Sequence, residues 1–311
     1  MVERIAYDEF GMFHENAAEY GLPYDEPPVV RREWVEVAPG RRLSALVWNR
    51  ADPELVLLHG GSQNAHTWDT VAMALNRPVV AIDLPGHGHS DGPGEHHGGQ
   101  LSAEGNAVDV AKAVRALAPA ARGVVGMSLG GLTTIALTKE APELVRKVVL
   151  VDALPGIKGA RAKQITDFVN GPPSFKSFDE LLERTVRYNP TRSVSSLRRG
   201  ILHNAEQLED GTWVWRWARH RSHEPGDQES PRQVDDTLYD QLWEMVSAIS
   251  VPLLLARGMR SESVLGDEDE AELLRRLPGA RVEHFAEAGH SLQGDTPLEL
   301  AALIEEFVFA E

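Results

Sequence analysis

A serine held between glycines is the strongest candidate for a nucleophile in this sequence. It lies in the stretch GMSLG at residues 126–130, which follows an apolar run and precedes the helix-forming run 132–137. The pattern predicts a strand, a sharp turn and a helix, with Ser128 exposed on the turn. A side chain in place of either glycine would collide with the neighbouring strand or helix. We therefore expect Ser128 to lie at the carboxyl end of a strand, where it could act as a nucleophile.

Backbone N–H groups on two loops are candidates for stabilising an anion beside that serine. The helix that follows it would direct its first N–H groups, led by that of Leu129, at the reacting atom. A second glycine-rich stretch, HGGS at residues 59–62, follows another apolar run. Its small residues would let the backbone come close, which makes the N–H of Gly61 the candidate second donor. We expect the adjoining Gly60 and Ser62 to contact substrate; the alternative is an ordinary glycine turn.

The base that would activate the serine hydroxyl is predicted to be His290. Serine is a poor nucleophile until a base takes its proton, and histidine commonly fills that role. His290 lies in AGHS, residues 288–291, between a predicted strand and the closing helix. The order serine, acid, histidine along the chain is one of the known orders of such sites. Among the other histidines, His284 lies inside a predicted strand, and His59 is interpreted as a structural residue of its loop.

Two carboxylates compete for the role of the acid that would orient this histidine. Asp152 directly follows an apolar run, so it should be buried, rigidly held and at the same sheet edge as Ser128. Glu262 follows a later strand of the core and is the second choice. An aspartate at a strand end is also a common structural residue. We expect Asp152, rather than Glu262, to complete a Ser-His-Asp triad.

The composition excludes several classes of function. The chain has 311 residues with 47 acidic and 31 basic side chains, which gives a net charge of −16. This charge argues against nucleic acid and anionic membranes as partners. There are no cysteines, so disulfides, thiol catalysis and zinc–thiolate sites are excluded. The N-terminus lacks the apolar run of a signal peptide and no stretch approaches a membrane span, so we expect a cytoplasmic protein.

We predict neither a metal site nor a cofactor. Four histidines of a glycine-rich segment, His87, His89, His96 and His97, are conceivable metal ligands, but no carboxylate stands at ligand spacing. A dinucleotide site is not expected, because the first buried strand runs into HGGS without the glycine spacing or the distal acid that such a site needs. The expected partner is a small molecule, and the oligomeric state is left open.

Alternating strands and helices indicate the fold class. Apolar runs typical of strands buried on both faces occur at 54–59, 79–83, 147–151 and 251–257, with helical patterns between them. We therefore predict an α/β protein with a mostly parallel, doubly wound sheet, whose ligands gather at the carboxyl ends of the strands. Alternating residues around a Pro-Gly turn at 39–40 predict a hairpin of edge strands.

Four motifs together resemble the α/β-hydrolase family. They are HGG at 59–61, DLPGHGHS at 83–90, GMSLGG at 126–131 and AGHS at 288–291. Within that family, the sequence is most similar to small bacterial serine carboxylesterases.

The resemblance implies a division of the chain into a core and an insertion. The α/β-hydrolase core would span residues 30–155 and 246–311, with a mainly helical cap at 156–245. Before the core, apolar spacing predicts an N-terminal helical arm at 1–29.

The cap is expected to shape the substrate pocket. Trp213 and Trp215 alternate like a short strand, and we predict that they form an aromatic ceiling over the site. The equal alternative is that these rings form the cap's own core. Arg198 and Arg216 could contact a substrate carboxylate, but pairing with the many acids of this chain is favoured.

The resemblance implies hydrolysis of carboxylic esters with small to medium acyl chains through an acyl-enzyme. One position departs from the family, because the place three residues after Gly258 that usually holds the acid is Ser261. Some relatives take the acid from the end of the preceding strand, which here is Asp152. Lactonases and carbon–carbon bond hydrolases share the serine and stay open as alternatives. A ligand-binding protein without turnover is a further alternative, which the departure at Ser261 favours.

Overall fold

Short strands of apolar sequence form the centre of the structure, a computed structural model that describes residues 4–94, 102–156, 167, 171–220 and 236–310. The strands in these ranges are β1 (Val30–Ala38), β2 (Arg41–Trp48), β3 (Leu55–Leu58), β4 (Val79–Ile82), β5 (Gly123–Met127), β6 (Val148–Val151), β7 (Ser174–Phe175), β8 (Ala205–Gln207), β9 (Trp213–Trp215), β10 (Leu253–Gly258) and β11 (Arg281–Phe285). The α-helices are α1 (Phe13–Tyr20), α2 (Asp69–Leu75), α3 (Ala103–Leu117), α4 (Leu129–Glu140), α5 (Phe178–Tyr188), α6 (Val194–Asn204), α7 (Asp236–Ser247), α8 (Asp267–Arg276), α9 (Leu292–Asp295) and α10 (Pro297–Ile304). Within the described part of the chain, no helix has both the length and the apolar character that crossing a membrane requires.

Eight of these strands form one sheet in the order β1-β2-β4-β3-β5-β6-β10-β11. The pairs β1–β2 and β2–β4 are antiparallel, and the remaining neighbours are parallel. The predicted mostly parallel, doubly wound sheet is therefore confirmed. The predicted hairpin of β1 and β2 also forms. Of these two strands only β1 lies at an edge of the sheet, because β2 pairs with β4 on its other side. The carboxyl ends of β3, β5, β6, β10 and β11 meet at one edge of the sheet.

Helices cover both faces of the sheet and bury its central strands. Along β3, Val56 and Leu58 face one core together with α3, α4 and α7, whereas Leu55 and Leu57 face the other together with α2 and α10. All four side chains are fully buried. Burying a side chain of this size stabilises a fold by roughly 1.5–3 kcal/mol. The strands therefore give a rigid base to the loops that project from their carboxyl ends.

A second, smaller sheet lies in the inserted segment, residues 171–220. Its antiparallel strands are ordered β7-β9-β8, and α5 and α6 lie beside it. Both helices begin directly after a serine, Ser177 and Ser193, whose hydroxyl accepts a hydrogen bond from an N–H group of the first turn. The segment has its own apolar core, which includes Phe175, Leu181, Ile201, Leu202, Ala205, Trp213, Trp215 and Trp217. The division of the whole chain into arm, core and cap stays a prediction.

The N-terminal arm is helical over a shorter range than the sequence pattern suggested. Its helix runs only from Phe13 to Tyr20, and Gly21 ends it in the left-handed conformation, with φ 66°. Phe13 is buried against Trp48, with ring centroids 5.0 Å apart. Ile5 lies before the helix and is exposed. The arm thus contacts the core through this short helix and, ahead of it, through Glu9, which pairs with Arg32 and His66.

Candidate active site

Ser128 occupies the sharp turn between β5 and α4. Its backbone has φ 50° and ψ −116°, and a conformation of this kind costs on the order of 1–3 kcal/mol in a residue with a side chain. A Cβ added at Gly126 would lie 2.3 Å from the Gly130 carbonyl oxygen, and one at Gly130 would lie 2.2 Å from the Leu58 carbonyl oxygen. Close packing therefore requires both glycines, as the sequence predicted, and it leaves the serine at the carboxyl end of β5.

Asp152 is buried at the end of β6, beside that turn. Val151 is the partner of Met127 in the sheet, and the Ser128 N–H donates to the Val151 carbonyl at 3.3 Å. Ser128 and Asp152 therefore leave neighbouring parallel strands at the same level. Their side chains start from the same edge of the sheet, as predicted.

The Asp152 carboxylate accepts four hydrogen bonds, two on each oxygen. Oδ1 accepts from the Gly258 N–H at 3.1 Å and from the Ser263 hydroxyl at 2.7 Å. Oδ2 accepts from the Val264 N–H at 3.0 Å and from His290 Nδ1 at 2.8 Å. These four contacts fix the orientation of the carboxylate.

His290 reaches this edge of the sheet from the loop between β11 and α9. An ionised carboxylate can only accept, so Nδ1 must carry the proton of the bond to Asp152, and Nε2 keeps the lone pair that a base needs. The His290 side chain is 15% exposed, whereas that of Asp152 is fully buried. The Gly289 N–H donates to Asp295 Oδ2 at 2.9 Å and holds the loop.

Glu262, the second choice for the acid, makes a different contact. Its Oε2 accepts from the Ser261 hydroxyl at 3.2 Å, in an exposed position. His290 Nδ1 is bonded to Asp152 instead. Ser261 is the residue that departs from the family's pattern. Ser263, two residues further along the same loop, donates a hydrogen bond to Asp152.

The glycine-rich loop after β3 lies directly against the turn at Ser128. A Cβ added at Gly60 would lie 2.4 Å from Met127 Sδ and 3.3 Å from Ser128 Cβ, whereas one at Gly61 would lie 4.0 Å from Leu129 Cβ. Leu129 is the first residue of α4, and the first N–H groups of a helix have no partner within it. Gly61 thus lies beside the start of the helix, as a pair of N–H donors around one oxyanion requires.

Two side chains fix the conformation of this loop. His59 is buried; its Nδ1 donates to the Gly60 carbonyl at 2.7 Å, and its Nε2 accepts from the Leu84 N–H at 2.9 Å. Burial lowers the pKa of His59, and one donated and one accepted bond are what the neutral ring makes. Gln63 Oε1 accepts from the Gly60 N–H at 3.1 Å. The interpretation of His59 as a structural residue is confirmed.

Backbone positions with positive φ are concentrated around this site. Ser62, Ser128 and Asp152 have φ values of 62°, 50° and 44°, and the other such non-glycine positions in the described ranges are Asn49 and Asn76. Strained backbone of this kind clusters where function requires a fixed geometry. Here three of the strained residues border one edge of the sheet.

A cavity of about 150 Å³ adjoins this edge, between the core and the inserted segment. Ser62 and Gln63 border it on one side, and Ser291, next to His290, borders it on another. Ser128 and His290 themselves do not line it, so the cavity begins beside these two residues. Many of its other lining side chains are polar, among them Asn16, Tyr20, Asn189, Arg192, Arg199 and His203.

The two tryptophans predicted to roof the site lie in different places. Trp215 borders the cavity, whereas Trp213 packs edge-on against Phe178, with ring centroids 5.1 Å apart. Both belong to the core of the inserted segment, which was the alternative. The segment also touches the glycine-rich loop, because Asn204 Nδ2 donates to the Ser62 carbonyl at 2.6 Å.

The two arginines considered as carboxylate ligands pair with acids of the chain. Arg198 Nη1 lies 3.6 Å from a Glu15 oxygen, and Arg216 Nη1 lies 3.5 Å from a Glu206 oxygen. The favoured alternative, pairing within the protein, is therefore confirmed for both.

Buried titratable groups form one wall of the cavity. His66 Nδ1 bonds Asp69 Oδ2 at 2.9 Å, and its Nε2 bonds Glu9 Oε1 at 3.2 Å. Burial opposes protonation, but Asp69 and Glu9 outweigh it and raise the pKa of His66 to about 9. The His203 ring stacks on His66, with centroids 3.7 Å apart. Burial, together with the charge on His66, lowers the pKa of His203 well below its ordinary value.

The same cluster has a donor set that transition metals accept, two imidazoles and a carboxylate. One donor atom each from His66, Asp69 and His203 lies within 4.8 Å of the others. The rings are nearly parallel, at 10°, so their in-plane lone pairs cannot both point at one ion. The arrangement fits a network of hydrogen bonds and ion pairs better than a metal site. Of the histidines that the sequence offered for a metal, His96 and His97 lie outside the described residues.

Comparison with known proteins agrees with this fold. A model of the alpha/beta hydrolase family matches residues 55–303. The chain belongs to this family. The predicted family and fold class are thereby confirmed.

Among the relatives of this hydrolase is an esterase of nearly the same length. This chain is 40% identical to esterase Rv0045c of Mycobacterium tuberculosis, over 97% of this chain and 96% of that protein. A crystal structure of that esterase has a TM-score of 0.81 and 39% identity, covering 99% of this chain and 100% of the other. A putative 2-succinyl-6-hydroxy-2,4-cyclohexadiene-1-carboxylate synthase of Bacillus subtilis is 25% identical over 83% of this chain and 91% of its own. These relatives support the predicted ester hydrolysis.

Proposed function

We propose that this α/β-hydrolase is a serine carboxylesterase with Ser128 as nucleophile, His290 as base and Asp152 as the acid that orients it. The family and the full-length similarity to an esterase make the chain a carboxylic ester hydrolase. The 2.8 Å hydrogen bond between His290 Nδ1 and Asp152 Oδ2, at the edge that carries Ser128, is the observation that supports this triad best.

In the proposed reaction, the Ser128 hydroxyl attacks the ester carbonyl carbon while His290 Nε2 takes its proton. Asp152 holds the ring in place and stabilises the imidazolium. The N–H groups of Leu129 and Gly61 bind the oxyanion that forms. His290 then protonates the departing alcohol. A water molecule activated by the same histidine finally hydrolyses the acyl-enzyme.

In this proposal the inserted segment acts as a cap over the substrate. Gly60 and Ser62 would contact the ester from the side of the sheet, and Trp215 would contact it from the cap. The hydrogen bond from Asn204 to the Ser62 carbonyl joins the two sides. A cavity of about 150 Å³ suits a small-molecule ester with a small to medium acyl chain.

A ligand-binding protein without turnover is less well supported. Its main argument was the serine at position 261, where the family's pattern expects an acid. Asp152, from the end of the neighbouring strand, contacts His290 and removes that argument. Lactonase and carbon–carbon bond hydrolase activity would use the same three residues, and no contact in the site favours either.

Labelling with a fluorophosphonate probe tests the proposed nucleophile. We expect the wild-type enzyme to be labelled at Ser128 and to hydrolyse p-nitrophenyl butyrate. Ser128→Ala should abolish labelling and lower kcat by at least about 10⁴-fold, with an unchanged melting temperature. Ser291→Ala, a serine on the rim of the same cavity, is the matched control and should keep most of the activity. Labelling that persists in Ser128→Ala would refute the assignment.

A further inference from the structure

Arg192 lines the cavity from the short connection between α5 and α6. Its Nη2 donates to the Ser196 hydroxyl at 2.5 Å, and its Nε is buried without a hydrogen-bond partner. None of the ion pairs among the described residues includes Arg192. A guanidinium has five N–H donors and stays protonated at any physiological pH. Most of its binding capacity is therefore unused in the free protein.

Arg199, seven positions further along, provides an internal comparison. It lines the same cavity and is almost completely buried. Its guanidinium donates to a carboxylate oxygen of Glu19 and lies 3.6 Å from one of Glu15. The protein thus neutralises one of the two arginines on this wall with its own acids and leaves the other without such a pair.

The position of Arg192 makes its lack of a pair more costly. It precedes Ser193, the N-cap of α6, where the helix dipole favours anions over cations, and the first turn of α6 has no acidic residue. Burial lowers the pKa of Arg192, while Tyr20 and Asp295 act in the opposite direction. Asp295, however, accepts from the Gly289 N–H instead. A charge that is partly removed from water without an ion-pair partner destabilises the free protein.

The guanidinium also lies close to the loop that carries the proposed base. A Cβ added at Gly294 would lie 2.7 Å from Arg192 Cζ. Gly294 is in the short helix that follows His290 and Ser291, and it lines the cavity together with Ser291. The cavity therefore extends from the catalytic loops to an unpaired positive charge.

We propose that Arg192 binds a carboxylate group of the substrate, so that the natural substrates are esters that carry a free carboxylate in addition to the scissile ester. The proposal rests on the esterase function proposed above. Arginine is suited to this role because its planar fork binds both oxygens of a carboxylate. The polar lining of the cavity is also better matched to such a substrate than to a plain aliphatic ester.

Two pairs of esters that differ only by a carboxylate test this proposal with the full-length enzyme. The acyl-side pair is p-nitrophenyl butyrate and mono-p-nitrophenyl succinate; the alcohol-side pair is phenyl acetate and 4-acetoxybenzoate. We expect the wild-type kcat/KM to be higher for the anionic member of at least one pair. Arg192→Met should lower that ratio of anionic to neutral kcat/KM by about 10- to 100-fold, the effect of one hydrogen-bonded charge. Arg192→Lys, which keeps the charge but loses the fork, should lower it less.

Controls separate this effect from misfolding and from failure of the esterase assignment. Arg198→Met removes an exposed arginine of α6, the helix that follows Arg192, and should leave the ratio unchanged. Gly294→Ala should lower the ratio, because its methyl group displaces the guanidinium. A wild-type preference for the neutral ester in both pairs, or an unchanged ratio in Arg192→Met, would overturn the proposal. Loss of neutral-ester hydrolysis in Ser128→Ala would uphold the esterase assignment in either case.

Discussion

Asp152 and Arg192 are both charged and largely removed from solvent, but the protein treats them in opposite ways. The Asp152 carboxylate accepts hydrogen bonds from two backbone N–H groups, a hydroxyl and an imidazole. Arg192 makes one side-chain hydrogen bond, to Ser196, and its Nε has no partner. The hydrogen-bonding capacity of Asp152 is thus filled by the protein before any ligand binds, whereas that of Arg192 is not.

The difference separates two kinds of functional group. A group that must orient a base through many turnovers benefits from a rigid environment that needs no reorganisation during the reaction. A group that recognises a ligand must keep binding capacity free until the ligand comes. The degree to which a buried charge is satisfied in the free protein thus helps to distinguish chemistry from recognition.

The largest loss of activity is expected from a substitution of Asp152. Asp152→Asn would present an amide N–H₂ where the present oxygens accept, and it would favour the wrong tautomer of His290. We expect kcat for p-nitrophenyl butyrate to fall by about 10³- to 10⁴-fold. Glu262→Gln is the matched control and should stay within about threefold of the wild type, since surface changes of this kind are small. A larger loss in Glu262→Gln than in Asp152→Asn would reverse the assignment of the acid.

A second test uses the cluster of charged groups formed by His66, Asp69 and Glu9. The pKa of His66 is raised to about 9 in the folded protein, from about 6.5 when unfolded. The stabilisation that protonated His66 gives to the fold is therefore complete below about pH 6.5, and it is lost as the pH rises through about 9. We expect the free energy of unfolding in urea to fall by on the order of 3 kcal/mol over this window.

The matched variants for this test are His66→Gln and His14→Gln. His66→Gln should remove most of that pH dependence, because the titrating ring is gone. His14 is exposed, so His14→Gln should keep the wild-type curve. A pH dependence that survives in His66→Gln would mean that another group carries it.

The smallest effect concerns the packing of the glycine-rich loop against Ser128. Gly60→Ala would place a methyl group against Met127 and Ser128, and we expect kcat to fall by about tenfold as the serine is displaced. Gly61→Ala meets nothing closer than 4.0 Å and should change kcat by less than about twofold. Equal losses in both variants would contradict the assigned packing of this loop.

The parts of the site that local sequence encodes could be predicted. The sharp turn at Ser128 is fixed by glycines two residues away on either side, and the fold class follows from continuous apolar runs. Asp152 could be placed because an acid directly after a buried strand must lie at the edge of the sheet. His290 followed from its position ahead of the closing helix.

Contacts between distant parts of the chain could not be predicted. Ser263 holds Asp152 across 111 positions, and nothing in the pattern around Ser263 distinguishes it from an ordinary loop serine. The stacking of His66 on His203 is equally invisible in the sequence. The sequence does not distinguish Arg192 from Arg198, yet in the structure Arg198 pairs with Glu15 of the N-terminal arm and Arg192 lines the cavity. Whether a charge is paired depends on packing, which periodicity does not describe.

The hydrogen bond from Asn204 to the Ser62 carbonyl has a consequence for how such an enzyme would admit its substrate. Any outward swing of the inserted segment would pull on the strand-to-helix connection that contains Gly61. Opening would then displace the proposed oxyanion donors, and closing would restore their positions. Substrate entry and the alignment of the proposed oxyanion donors would then be coupled, so that these donors are fully aligned only when the inserted segment has closed.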